Sequence, residues 1–301
     1  MIALITGSNG LLGQKIIEQL NSKDNKIIAT SKGTNRNSNN NSFIYEDLDI
    51  TNKEQLSYVL NKYKPDVVFN TAAMTNVDLC EQKKDLCENV NVKAVEYLAD
   101  ICLDLDAHLI HISTDFIFDG NDGPYSEDDI PFPLSYYGQS KLDSENILKS
   151  HKCKWTILRT IVLFGVANNL TKSNVVLWAK EQLENSKIIN IIDDEFRAPT
   201  LADDLAYACI YSAKNKVFGV YHTSGKDIIS IYDMVIFIAN YFNLDKNLVN
   251  RISSKELSQV AKRPKKTGFV LEKAKKHLNY HPKSLNDSLK YIDKQLTNQN
   301  N

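Results

Sequence analysis

The sequence predicts an α/β fold: a doubly wound parallel sheet with a smaller C-terminal region. Three observations carry this. Short Ile-, Val- and Leu-rich runs alternate with amphipathic runs through the first half. A glycine triplet stands between the first strand-like run and the first helical one. After Gly165 the alternation weakens and the chain turns polar and lysine-rich.

The predicted strands are Ile2–Thr6, Lys26–Ser31, Val67–Asn70, His108–Ser113 and Trp155–Arg159, with a further short one before Asp49. The inner runs are apolar nearly throughout, as parallel strands covered on both faces must be. Between them, Leu12–Leu20, Asn52–Lys62 (with Thr51 as N-cap) and Leu86–Asp104 read as helices. Later, helices are expected at Asn174–Gln182 and Leu201–Ser212, with a strand-like run at Lys187–Ile192. Thr34–Ser42 lacks any apolar residue and reads as a mobile loop rather than a site. The tail Thr297–Asn301 is expected to fray. The expected organisation is a nucleotide-binding unit over 1–165 with a return segment near 187–222, a substrate region over 166–186 and 223–295, and a flexible tail over 296–301.

Composition narrows the function classes. The 301 residues carry 36 Lys+Arg against 37 Asp+Glu, a formal net charge of -1. That balance gives no electrostatic reason to expect nucleic acid or an anionic membrane as partner, and the basic stretch Lys262–Lys266 is short. No apolar run approaches the roughly 18 residues that span a bilayer. The N-terminus has no basic n-region or cleavage site, so a cytoplasmic protein is expected. Five cysteines without CxxC spacing read as buried or idle thiols, not a disulfide or metal set.

Thr6-Gly7-Ser8-Asn9-Gly10-Leu11-Leu12-Gly13 follows the first strand directly. Gly7 permits a tight turn, Gly10 close approach of backbone to a pyrophosphate, and Gly13 close helix–sheet packing. A dinucleotide would then lie over a helix N-terminus, where N–H groups and the macrodipole favour anions, against Asn9, Gly10, Leu11 and Leu12. This makes the sheet Rossmann-type. The second strand ends in Ser31 and Lys32, a hydroxyl and an ammonium that suit a 2′-phosphate better than a ribose diol, so NADPH is expected, with NADH as the alternative. Asp49 and Ile50 are candidates for the adenine end. Thr71, Ala72 and Ala73 end the fourth strand in small residues that let backbone approach the cofactor.

The fifth strand ends His111-Ile112-Ser113-Thr114-Asp115, and Tyr137-Gly138-Gln139-Ser140-Lys141 follows. Tyr137 and Lys141 are i and i+4 and share one helix face. A free phenol titrates near ~10, about three units from neutrality; a neighbouring ammonium lowers that value and lets the tyrosine exchange a proton with a carbonyl or alcohol. Thr114 is placed to bond the same oxygen. His111 reads as a satisfied core histidine, Trp178 as packing, and Asp128 and Asp129 as a solvated loop.

These features, with Ser113-Thr114-Asp115-Phe116-Ile117-Phe118-Asp119-Gly120, Pro124-Tyr125-Ser126-Glu127, Asn70–Asp78, Arg159-Thr160, Ala198-Pro199-Thr200 and Arg263-Pro264, resemble the dTDP-4-dehydrorhamnose reductase family of extended short-chain dehydrogenase/reductases. The resemblance spans about residues 1–290. It implies reduction of the 4-keto group of dTDP-4-dehydro-L-rhamnose by NAD(P)H. Tyr137 would be the general acid, Lys141 would hold the nicotinamide ribose, and Thr114 would orient the carbonyl. Asp115, Asn174, Arg197 and Arg263 would contact the sugar nucleotide, with a structural ion pair to Asp193 or Asp194 as the alternative for Arg197. Phe116 replaces the Asp-Glu glutamate of 4,6-dehydratases, which argues against dehydration. Two departures leave the sugar's identity open: the family usually has Tyr at the place of Phe116 and Trp near Val162. A magnesium-binding glutamate of some members falls near Lys15, so no metal is expected. A homodimer is left open. The alternatives are a non-catalytic regulatory subunit resembling the methionine adenosyltransferase β subunit, and a sugar-nucleotide epimerase.

Overall fold

A computed structural model describes residues 1–37, 42–171 and 173–299. Seven parallel strands form the central sheet: β1 (Ile2–Thr6), β2 (Lys26–Ser31), β3 (Ile44–Asp47), β4 (Val67–Asn70), β5 (His108–Thr114), β6 (Lys154–Thr160) and β7 (Gly219–His222). Their spatial order is β7-β6-β5-β4-β1-β2-β3, which reverses direction between β1 and β4. Ligands bind at such a switch point, beyond the carboxyl ends of the strands.

Strand parity divides the core. Ala3 and Ile5 of β1 face one layer, with Ile16, Leu20, Leu205 and Cys209; Leu4 faces the other, with Leu56, Leu98 and Leu148. The first layer is supplied by α1 (Leu11–Leu20) and α8 (Ala202–Asn215), the second by α2 (Lys53–Tyr63), α5 (Ala94–Asp104) and α6 (Tyr136–Ser150). The helical run expected over 86–104 begins earlier: α3 (Val77–Gln82) and α4 (Lys84–Glu88) precede a π-turn over Asn89–Lys93 that leads into α5. Asn52, not Thr51, caps α2, its side chain accepting from the Gln55 N–H.

The later chain forms a separate apolar cluster. α7 (Val175–Glu184), α9 (Ile231–Tyr241) and α11 (Leu285–Gln299) bury Val176, Val235, Ile238 and Leu289 together; α10 (Glu272–Leu278) packs instead against the first core layer through Ala274 and Leu278. The strand expected near Lys187–Ile192 pairs with Val249–Ile252 in its own two-stranded sheet, so the return to the central sheet is made by α8 and β7, not by the whole of 187–222. Backbone pairing with 249–252 overrides proximity in sequence here. The expected fraying of 297–301 does not hold through Gln299, which ends α11; Asn300 and Asn301 lie outside the described residues.

The loop expected to be mobile over Thr34–Ser42 is anchored where it is described. Asn9 donates its Nδ2 to the Thr34 carbonyl at 2.9 Å, Arg36 donates its N–H to Asn9 Oδ1 at 2.8 Å, and Asn37 donates to the Ser8 carbonyl at 3.2 Å. Residues 38–41 lie outside the described residues. Asparagine makes the difference: a run without apolar side chains still binds backbone through amides.

Candidate active site

The glycine turn is held by close packing. Gly7 has φ +66°, and a Cβ there would lie 2.8 Å from the Ala72 nitrogen. At Gly13 a Cβ would lie 2.6 Å from the Gly7 carbonyl oxygen. Gly10 is the N-cap of α1 and provides no side-chain cap, so the helix's leading N–H groups are not covered by a cap residue. This cradle suits a pyrophosphate.

A cavity of about 680 Å³ lies over this turn and the strand ends. It brings together Asn9, Gly10, Leu11, Leu12, Thr71, Ala73, Thr114, Asp115, Tyr137, Lys141 and Asn174 of the residues expected from sequence. Leu170, Thr171, Ser173 and Val175 line it from the later chain, and Phe116 and Val162 also border it. Val162 adopts φ +39°, a left-handed conformation that is unusual for a β-branched residue.

Tyr137 and Lys141 project from the first turns of α6, whose N-cap Ser135 accepts from the Gly138 N–H. Gly138 sits against the Phe116 carbonyl with no room for a Cβ, which fixes this helix end on the turn Asp115–Ile117. Tyr137 packs edge-on to Phe116, ring centroids 5.7 Å apart. Burial pushes the Tyr137 phenol above its ordinary value, and a hydrogen bond from Thr114 pulls the other way. The direction is opposite to the one expected from the sequence, because desolvation of the phenol is the largest cause. A phenol held protonated is a proton donor at neutral pH. Burial also brings the Lys141 ammonium down to about 8, against the attraction of Glu145 and Cys87.

Other expected contacts lie elsewhere. Lys32 is exposed and pairs with Asp49 at 2.7 Å, and neither these two nor Ser31, Ile50 and Ala72 border the cavity. Arg197 is buried; it pairs with Glu195 at 2.8 Å and donates to the Phe196 and Lys265 carbonyls. It stands 3.8 Å from Asp115 and backs the Phe116 ring. The ion pair foreseen with Asp193 or Asp194 is thus made with Glu195, since Asp193 pairs with Arg251 and Asp194 binds Ser253 and Ser254. Arg263 is bound to Asp78 at 2.7 Å, outside the cavity. Asp115 accepts from the buried Thr267 hydroxyl at 2.5 Å; burial raises its carboxyl and Arg197 opposes that. Asn174 caps α7, accepting from the Leu177 N–H and donating to the Gly165 carbonyl. Lys15 pairs with Glu18 at 2.8 Å and lies 3.8 Å from Asp203. Trp178 is partly exposed, and the five cysteines are free and buried.

Arg36 was not foreseen. It lines the cavity beside Asn9 and Gly10, although it belongs to the asparagine-rich loop read as no site. The one signal was a lone arginine in that run; what places it is the Asn9 amide, whose partners are set by folding.

The RmlD substrate binding domain family matches residues 1–298. The chain belongs to this family. A dTDP-4-dehydrorhamnose reductase of Aggregatibacter actinomycetemcomitans is 32% identical, over 96% of this chain and 97% of that protein. Methionine adenosyltransferase 2 subunit beta of Xenopus laevis is 32% identical, over 83% of this chain and 75% of that protein. The crystal structure of a dTDP-4-dehydrorhamnose reductase from Bacillus anthracis in complex with NADP superposes with a TM-score of 0.86 at 28% identity, over 98% of this chain and 99% of that one. The protein is an oxidoreductase of the sugar-nucleotide reductase type, built on a Rossmann-type sheet. Among the described residues no helix is long and apolar enough to cross a membrane.

Proposed function

We propose that the protein reduces the 4-keto group of a nucleotide-linked 6-deoxy sugar with NADPH, and that the substrate is dTDP-4-dehydro-L-rhamnose. The observation that carries this is the meeting of Thr114, Tyr137 and Lys141 with the glycine turn around one cavity. When bound, the dinucleotide supplies the hydride. The residues supply the rest. Tyr137, kept protonated by burial, gives its proton to the keto oxygen as negative charge develops there. Thr114, which bonds the tyrosine, aligns the carbonyl. Lys141, still charged at neutral pH, stabilises the phenolate left behind.

The division of labour follows the cavity walls. Residues 1–165 with α8 and β7 hold the cofactor; 166–186 and 223–295 supply the sugar-nucleotide side, through the wall of Leu170, Thr171, Ser173, Asn174 and Val175. Arg36 takes the 2′-phosphate in place of Lys32, since Arg36 borders the cavity and Lys32 is paired with Asp49.

The test is NADPH oxidation on adding enzymatically generated dTDP-4-dehydro-L-rhamnose. Turnover that falls by roughly 10²–10⁴ in Tyr137→Phe, with NADPH affinity retained, supports the reading. Wild-type turnover in that variant refutes the tyrosine's role. No turnover by the native protein, with NADPH bound normally, transfers the weight to another keto sugar. A regulatory subunit like the methionine adenosyltransferase relative would bind NADPH, turn over no keto sugar and capture a partner enzyme.

A further inference from the structure

Behind Lys141 lies a row of polar side chains that the catalytic reading does not use. Strand register sets Thr6, Asn70 and His111 side by side on β1, β4 and β5. All three are buried, with His111 1% exposed. The Thr6 hydroxyl donates to Asn70 Oδ1 at 2.7 Å. This orients the amide, so Asn70 Nδ2 donates to His111 Nδ1 at 3.1 Å. A neutral imidazole that accepts at Nδ1 carries its hydrogen on Nε2. His111 Nε2 is 3.0 Å from Ser144 Oγ and 3.0 Å from Lys141 Nζ. The serine hydroxyl already donates to the Lys141 carbonyl at 2.7 Å, so toward the ring it can only accept, and the single Nε2 hydrogen is shared between Ser144 Oγ and Lys141 Nζ.

We propose that His111 is a positioning residue that presents a fixed N–H to Lys141 Nζ, favouring the free amine over the ammonium and setting the pH at which this lysine gives up its charge. The proposal rests on the assignment of Lys141 to the cofactor-side machinery. An amine can accept from the ring N–H, whereas an ammonium meets it donor to donor. Burial keeps the imidazole itself neutral, with the Lys141 charge acting in the same direction. Among the described residues, the other groups whose charge acts on the amine are Glu145 from its own helix and Cys87 from α4, and both favour the ammonium. Glu145 is in turn held by Arg159 of β6 at 2.7 Å.

The test reads NADPH affinity against pH by nicotinamide fluorescence, which needs no sugar substrate. Affinity in the native protein is expected to drop as Lys141 loses its proton near pH 8, and Lys141→Arg is expected to abolish that drop. In His111→Phe the midpoint is expected to rise by roughly half to one pH unit, and in His111→Gln, which keeps an N–H donor near the same place, to return toward the native value. A midpoint that stays put or falls in folded His111→Phe overturns the proposal. Ring ¹⁵N resonances of the native protein give a second test that needs no variant: the Nε2–H tautomer at His111 is expected, and the Nδ1–H tautomer overturns it. Failure of keto-sugar turnover with these results intact would count against the substrate reading alone.

Discussion

At the scale of single residues, the side chains proposed to react were legible as neighbours and the charge partners of the basic residues were not. Tyr137 and Lys141 share a helix face by spacing alone, and Thr114 ends a strand whose apolar run announces it. Lys32, Arg197 and Arg263 have the right charge for phosphates, but each is already matched to a carboxylate brought from 2 to 185 positions away. Distance along the chain says nothing about which acid a base will meet. The selectivity prediction follows the cavity. Arg36→Ala is expected to raise the KM for NADPH about 10-fold or more while leaving NADH nearly unchanged, the loss of a charge-assisted bond being worth roughly 1.5–3 kcal/mol. Lys32→Ala is expected to leave the ratio of the two KM values alone. Steady-state kinetics with both cofactors checks this, and the reverse ranking would return the phosphate to Lys32.

At the scale of elements, the glycine turn shows how local sequence and packing agree. Three glycines at fixed spacing need a turn, an approach and a close contact, and the turn at Gly7 and the close contact at Gly13 are visible in the fold. Gly13→Ala would put a methyl 2.7 Å from the Ser8 Cα, where backbone must move. The expected outcome is weakened NADPH binding by at least 10-fold together with a lower Tm, read by fluorescence titration and thermal melting; native affinity in Gly13→Ala would mean that α1 shifts without disturbing the cradle. The elements whose ends were misplaced, at Thr51 and Leu86, are those where a cap or a π-turn settles the boundary. Apolar periodicity finds a helix's middle; hydrogen bonds of a few side chains choose its ends.

At the scale of the whole molecule, three buried histidines tie stability to pH. Burial lowers His108 to about 4 and holds His111 and His222 well below their ordinary value; nearby Lys154, Lys141 and Arg159 act the same way. Their folded values lie below the unfolded one, near ~6.5, so the unfolded chain binds more protons and stability falls as pH drops below that value. Each group is expected to cost up to about 2 kcal/mol at pH 5. The Tm should therefore decline between pH 7 and pH 5, and His108→Gln should flatten that slope; a Tm independent of pH over this range would show the histidines to be hydrated in solution. The same distinction divides what was readable from what was not. By itself the sequence determined all the central strands but the edge strand β7, the glycine turn and the shared face of Tyr137 and Lys141, because those follow from side-chain period and from spacing within single elements. The tertiary structure alone decided that Arg36 borders the cavity, that Arg197 and Arg263 are spent on Glu195 and Asp78, and that His111 stands behind Lys141. Those are meetings between distant segments, fixed by strand register and loop anchoring, which no local pattern encodes.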